Sequence, residues 1–161
     1  MKLFSTALLD ELTSQAAAQP RLRSHHNIHG SPADLIQRFI VAVQRDSYFR
    51  PHRHSARSEL AVVIRGQFDL LTFDPQGVVT GRYRVGADTP NMAFEAPQGT
   101  WHTLLAATDS AAFLEIKQGP YDPATATEFA PWAPPEGHAA VPAFLQWLRG
   151  AQPGSAAPEA R

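Results

Sequence analysis

His52-Arg53-His54-Ser55-Ala56-Arg57-Ser58-Glu59 is the stretch on which the fold turns. Residues two apart in a strand point to the same face, so His52 and His54 present two imidazoles side by side. The small or polar residues Ser55 to Ser58 suit a bend that brings the Glu59 carboxylate back beside them, and Gly66 stands at the far end of the apolar run that follows. Much further on, Pro97, Gly99 and His102 form a second cluster, in which Pro and Gly shape a tight turn that aims His102. Three neutral imidazoles and one carboxylate are a complete protein ligand set for one divalent metal ion. An H-x-H pair alone is more often a solvated strand face. The second cluster, at matching spacing, is what favours a metal.

Outward from this stretch, the chain reads as strands. Phe39 to Val43, Leu60 to Ile64, Phe68 to Phe73, Val78 to Val85 and Phe113 to Ile116 are rich in Val, Ile, Phe and Leu and are bounded by turn residues. Asp74-Pro75-Gln76-Gly77 supplies what a type I turn prefers, which predicts a hairpin between the runs on either side. Short strands at this spacing predict an all-β sandwich or barrel. Two helices flank it. Leu8, Leu9, Leu12 and Ala16 recur at helical spacing before Pro20, as do Val141, Phe144, Leu145 and Leu148 near the other end. Ser31, Pro32 and Asp34 predict a further short helix, and Arg21 to Gly30 a loop or extended arm.

Composition narrows the chemistry. The 161 residues are 43% hydrophobic and 18% charged, with 14 Pro and 10 Gly, the balance of one globular, turn-rich domain. With no cysteine, any metal must be held by nitrogen and oxygen. A formal net charge of -1 gives no general attraction to nucleic acid or to an anionic membrane. The apolar run at the N-terminus is interrupted by Asp10 and Glu11, too soon for a secretory signal, so a cytoplasmic location is expected. Twelve of the fourteen basic residues are Arg, several of them crowding the first histidines, where a guanidinium suits a carboxylate or phosphate. A simple Arg-for-Lys bias is the competing account.

The spacing H-x-H, four residues, E, six residues, G resembles the first motif of the cupin superfamily, and P-x-G-x-x-H the heart of its second. Asn91 and Ala106 stand where the full second motif has Gly and Asn. Pro20 to His29, Arg50 to His54, Pro97 to His102 and Glu115 to Pro134 further resemble the WbuC family of cupin-fold metalloproteins, most closely in Glu115-Ile116-Lys117-Gln118-Gly119-Pro120-Tyr121-Asp122-Pro123 and Phe129-Ala130-Pro131-Trp132-Ala133-Pro134. The resemblance implies a double-stranded β-helix (a cupin jelly-roll barrel) with an added N-terminal segment, a bound metal, and a setting in bacterial surface polysaccharide gene clusters. It implies no particular reaction. The chain then divides into an N-terminal helix and arm (1–36) packing on the barrel, the barrel itself (37–135), a C-terminal helix (136–149) and a disordered tail (150–161).

Strand parity adds neighbours to the four ligands. Arg50 shares the parity of His52 and His54 and could hold an anionic ligand, or could simply pair with a structural acid. Glu115 and Lys117 share a face opposite Leu114 and Ile116, and two ionisable groups aimed inward need pairing or a wet pocket, so they are the acid and base candidates. Tyr121 could add a hydroxyl, and Asn27 and His29 could fold over the cavity mouth. A surface position is expected for His25, His26 and His138, and Trp101 is expected to pack against the barrel wall. The leading expectation is a metal-dependent isomerase or epimerase acting on a small anionic carbohydrate, such as a sugar phosphate or nucleotide sugar. A non-enzymatic carbohydrate sensor and an iron-dependent dioxygenase are the rivals. The ligand set suits zinc, nickel, iron, manganese or cobalt alike. Edge strands and family habit point to a homodimer.

Overall fold

The computed structural model describes residues 1–158. The chain runs α1 (Thr6–Ala18), β1 (Arg23–Asn27), β2 (Ile36–Gln44), β3 (His52–Arg53), β4 (Glu59–Arg65), β5 (Gln67–Phe73), β6 (Val79–Gly86), β7 (Ala93–Ala96), β8 (Trp101–Ala106), β9 (Ser110–Gln118), β10 (Glu128–Phe129) and α2 (Val141–Gly150). The strands form two antiparallel five-stranded sheets, ordered β1-β2-β9-β4-β7 and β10-β3-β8-β5-β6. This is the double-stranded β-helix that the sequence predicts.

Burial explains why some strands read as unbroken apolar runs. Along β2, Val41 and Val43 face the barrel interior while Ile40 and Ala42 lie under α1, so both faces are covered and alternation disappears. Leu12 and Ala16 of α1 pack on Ile40, Ala42 and Ala112, and Ser5 caps the helix by accepting from the Leu8 N–H. On the outward face of the second sheet, Phe144, Leu145 and Leu148 of α2 close over Leu71, Phe73, Trp101 and Leu105. Trp101 packs there, as expected.

Two turns fix the strand register. Gly66 has φ +65°, and a Cβ there would meet Thr108 Oγ1 at 2.5 Å and the Ser110 carbonyl oxygen at 2.6 Å, so the β4–β5 turn admits only glycine. Asp74 opens the expected hairpin between β5 and β6, its carboxylate accepting from the N–H groups of Gln76 and Val78.

Two local expectations are corrected and one is narrowed. Ser31 to Leu35 form turns rather than a helix, because Ser31 Oγ accepts from Ala33 N, Asp34 Oδ2 accepts from Gly30 N, and the buried Gln37 amide donates to the Asp34 carbonyl. Within Arg21 to Gly30, the extended alternative is the one found, β1 pairing along β2 as an edge strand. The expected tail is tied down: Ala151 is buried, Val79 N donates to the Ser155 carbonyl, and Ala156 bridges Val78, supplying partners to β6 at the sheet edge. Its last residues, 159–161, lie outside the described residues.

Candidate metal centre

His52 and His102 are directly opposed cross-strand neighbours on β3 and β8, and Glu59 opens β4 opposite Ala96 and Lys117. His54 lies just past β3, its carbonyl accepting from Gly99 N at 2.9 Å. Gly99 takes φ +78°, and this turn sets the course of the chain into His102. The ligand atoms of His52, His54, Glu59 and His102 lie within 4.8 Å of one another, and all but His52 are fully buried.

Backbone carbonyls fix the tautomers. Nδ1 of His52 donates to the Arg50 carbonyl at 2.9 Å, Nδ1 of His54 to the Ala126 carbonyl at 2.6 Å, and Nδ1 of His102 to the Thr100 carbonyl at 2.9 Å. A neutral imidazole whose proton is on Nδ1 has only a lone pair at Nε2. Nε2 of His54 then faces Glu59 Oε2 at 2.7 Å with no hydrogen to share, and both His54 Nε2 and His102 Nε2 are buried without a hydrogen-bond partner. Two lone pairs at that distance need a cation between them. Donors orientated by their outer hydrogen bonds are what a divalent ion requires, so the residues present fit a metal.

Electrostatics agree. Burial, reinforced by His102, pushes His52 down to about 3, keeping it neutral. Burial opposes ionisation of Glu59, but the facing His102 and His54 and the charge of Lys117 hold its carboxyl well below the usual range. His102 is lowered by burial but raised further by Glu59, so in the absence of an ion a proton is drawn toward this carboxylate.

Glu115 and Lys117 stand beside the four ligands, as parity predicts. Lys117 Nζ forms an ion pair with Glu115 and lies 3.6 Å from Glu59 Oε2. Burial and the neighbouring Glu59 push Glu115 up to about 8 against the pull of Lys117. For Lys117 itself, burial is outweighed by the two carboxylates, which hold its ammonium above the usual range.

The ligand cluster lines a chamber of about 110 Å³ with Phe49, Leu104, Phe113 and Thr127. Phe49, His52, Glu115, Lys117 and Thr127 also line a second cavity of about 530 Å³ toward β1. Arg50, Asn27, His29 and Tyr121 belong to this outer cavity, not to the metal chamber. Arg50 precedes β3, and its Nη2 donates to the Ala130 carbonyl at 2.8 Å with the guanidinium over Phe129. His29 is tied to the Arg38 backbone, and Tyr121 is 48% exposed. Other arginines have structural partners: Arg53 grips Glu128 through two hydrogen bonds, Arg65 pairs with Asp10, and Arg57 donates to the Gln118 carbonyl.

Sequence reading missed Arg23 and His25, which line the outer cavity with Asn27. The signal was present. Once 23–27 is read as a strand, all three share one face. Arg21 and Arg23 both bind Glu136, a link that closes the cavity rim across more than a hundred residues and has no local signature.

Residues 4–85 match the family model described as Domain of unknown function (DUF6016). The chain belongs to that family. The matched span holds His52, His54 and Glu59, whereas His102, Glu115 and Lys117 lie beyond it. No curated protein sequence matches the chain. Among solved structures, the capsular polysaccharide assembling protein CapF from Staphylococcus aureus is similar at TM-score 0.58 and 18% identity, covering 69% of this chain and 32% of CapF. KdgF from Halomonas sp. is similar at TM-score 0.50 and 20% identity, over 66% of this chain and 84% of KdgF. An oxalate oxidase in complex with the substrate analogue glycolate is similar at TM-score 0.53 and 14% identity, over 71% of this chain and 58% of the oxidase. These neighbours are cupin jelly-roll proteins, and at such identities they bear on the fold.

Proposed function

We propose that the chain holds one divalent metal through His52, His54, Glu59 and His102 and acts on a small anionic carbohydrate-type molecule, a sugar phosphate or nucleotide sugar, as an isomerase or epimerase. The observation that carries the metal is the set of three Nδ1-locked histidines, of which His54 and His102 face Glu59 with buried, unpartnered Nε2 atoms. When bound, such an ion supplies Lewis-acid polarisation of a substrate oxygen. Glu115 is the proton carrier: its position at the junction of the two chambers lets it take a proton from a substrate carbon and return one to the same or the adjacent carbon. Lys117 positions that carboxylate and keeps it from repelling Glu59. Arg50, at the rim, binds the anionic end of the ligand, while Asn27, His29 and Tyr121 contact its body.

The surface-polysaccharide setting is supported by the sequence resemblance to the WbuC family and by the likeness to a protein that assembles capsular polysaccharide. The glycolate complex of a similar fold supports an anionic ligand at such a barrel.

The test is to purify the protein, identify metal and co-purifying small molecules by mass spectrometry, and incubate candidate sugar phosphates and nucleotide sugars in deuterated water. Metal-dependent deuterium incorporation at carbon, lost in Glu115→Gln with metal content intact, is the expected outcome. A ligand that binds but stays chemically unchanged would replace catalysis by sensing. Turnover that survives in metal-free His52→Ala would refute the mechanism.

A further inference from the structure

The rim of the outer cavity carries more positive charge than its partners balance. Arg21, Arg23 and Arg50 line the cavity, and the carboxylate that meets them is Glu136. Glu136 accepts from Arg21 and Arg23, whereas Arg50 takes part in no ion pair among the described residues. Glu115, also on the cavity wall, is committed to Lys117. Three guanidinium groups therefore share one carboxylate, which leaves two positive charges in surplus.

The two partners in the rim pair are held unequally. Arg23 is built in: its Nη1 donates to the Tyr48 carbonyl at 2.7 Å, its guanidinium lies 4.5 Å over the Phe49 ring, and its side chain is 12% exposed. Arg50 is fixed likewise, by the Ala130 carbonyl at 2.8 Å and the Phe129 ring at 5.3 Å. Glu136 is not. It belongs to the exposed run Pro135 to Ala139, and among the described residues its carboxylate accepts only from the two arginines. The chain is anchored two residues earlier, where the Tyr48 hydroxyl donates to the carbonyl of buried Pro134 at 3.0 Å, so the carboxylate can swing away while the barrel stays closed. Burial draws the Arg23 guanidinium below its ordinary value and Glu136 opposes this, so a departing carboxylate has to be replaced by another anion.

We propose that Arg23 and Arg50, with Arg21 at their edge, form a diphosphate subsite beside Phe49, in which Glu136 holds the place of one phosphate until the ligand displaces it. Guanidinium groups fixed by stacking and by a backbone carbonyl present their remaining N–H donors to phosphate oxygens without reorganisation. A diphosphate matches the surplus of two charges, which a single carboxylate or monophosphate monoanion would leave half met. Phe49 lines the metal chamber as well, so a phosphate on Arg23 stands one aromatic ring away from it, and the attached sugar reaches toward Glu115. At about 530 Å³ the cavity is within the size that encloses a ligand larger than a monosaccharide. The inference rests on the reading of this cavity as the ligand site, and of the two ligand classes given there it selects the nucleotide sugar, which carries a diphosphate, over the sugar phosphate.

Calorimetric titration of the full chain with inorganic phosphate, inorganic pyrophosphate and uridine diphosphate at fixed ionic strength tests this, with circular dichroism melts as the control for folding. Pyrophosphate and uridine diphosphate should bind about tenfold more tightly than phosphate, the scale of one added charge-assisted contact. Arg23→Gln should abolish that preference. Glu136→Gln should tighten pyrophosphate binding about two- to fivefold, as loss of a competing, partly solvated ion pair does. The preference should persist in His52→Ala, where a weakened metal site cannot supply it. Equal affinities for phosphate and pyrophosphate would overturn the proposal. So would unchanged or weaker binding in Glu136→Gln, which would make Glu136 a strut, or loss of the preference in His52→Ala, which would assign the diphosphate to the metal. Because binding alone is read, an absence of isomerisation would remove the catalytic reading above and leave this subsite standing.

Discussion

The two chambers share a wall and are built on different principles. In the inner one, about 110 Å³ in volume, the histidines are fixed by backbone carbonyls and three of the four ligands come from an eight-residue stretch. The outer one, about 530 Å³, is assembled from residues between Arg21 and Glu136 and held at its rim by side-chain ion pairs. Local spacing therefore specifies the first, and tertiary pairing specifies the second. A carbonyl partner cannot be lost by point mutation, whereas a rim ion pair can, so the inner geometry should tolerate neighbouring changes and the outer one should be easily altered.

The largest expected effect separates the chambers directly. His102→Ala should lower metal affinity by more than the roughly 10- to 100-fold that outer-shell changes cost. Equilibrium dialysis with elemental analysis measures it, with circular dichroism showing that the barrel persists. Next, Arg50→Ala should leave metal stoichiometry unchanged while reducing affinity for an anionic ligand about 10- to 100-fold, the scale of a lost charge-assisted hydrogen bond. A parallel loss of metal would mean that the two chambers act as one unit.

Smaller again is the rim. Burial opposes ionisation of Glu136, but hydrogen bonds from Arg21 and Arg23 and their charges hold its carboxyl below the ordinary range. A depressed carboxylate contributes stability above its unfolded value near 4.5 and loses it as pH falls through its lower folded value. Glu136→Gln should therefore lower stability at neutral pH by about 1 kcal/mol or less, since the pair is partly solvated, and the deficit should vanish under acid. Urea unfolding at a series of pH values reads this out. The smallest change is expected from Asn27→Ala: an exposed strand residue with a ligand affinity effect within a few-fold and no effect on metal or melting temperature.

Legibility followed the same division. His52, His54, Glu59 and His102 could be read because strand parity and a glycine turn convert sequence spacing into direction. Glu115 and Lys117 followed from parity alone. Arg50 lines the outer cavity with His52, but parity could not show that it stays out of the metal chamber, because strand pairing begins only at His52. His25 was missed because β1 is a polar edge strand without the β-branched residues that announce one. The tail read as disordered because its Ala, Gly and Pro content carries no pattern, yet the edge of β6 supplies it with backbone partners. The turn at Ser31 to Leu35 resembled a helix start because the same Ser and Asp side chains serve both.

The hydrogen bond from His54 Nδ1 to the Ala126 carbonyl spans 72 residues. Ala130 N, immediately past β10, likewise donates to the Pro51 carbonyl. A chain emerging from the ribosome thus displays His52, His54 and Glu59 long before the segment that orients His54 has been made. Until then, that imidazole can adopt either tautomer. The last ligand to be orientated is thus His54, fixed only once the segment around Ala126 has joined β3.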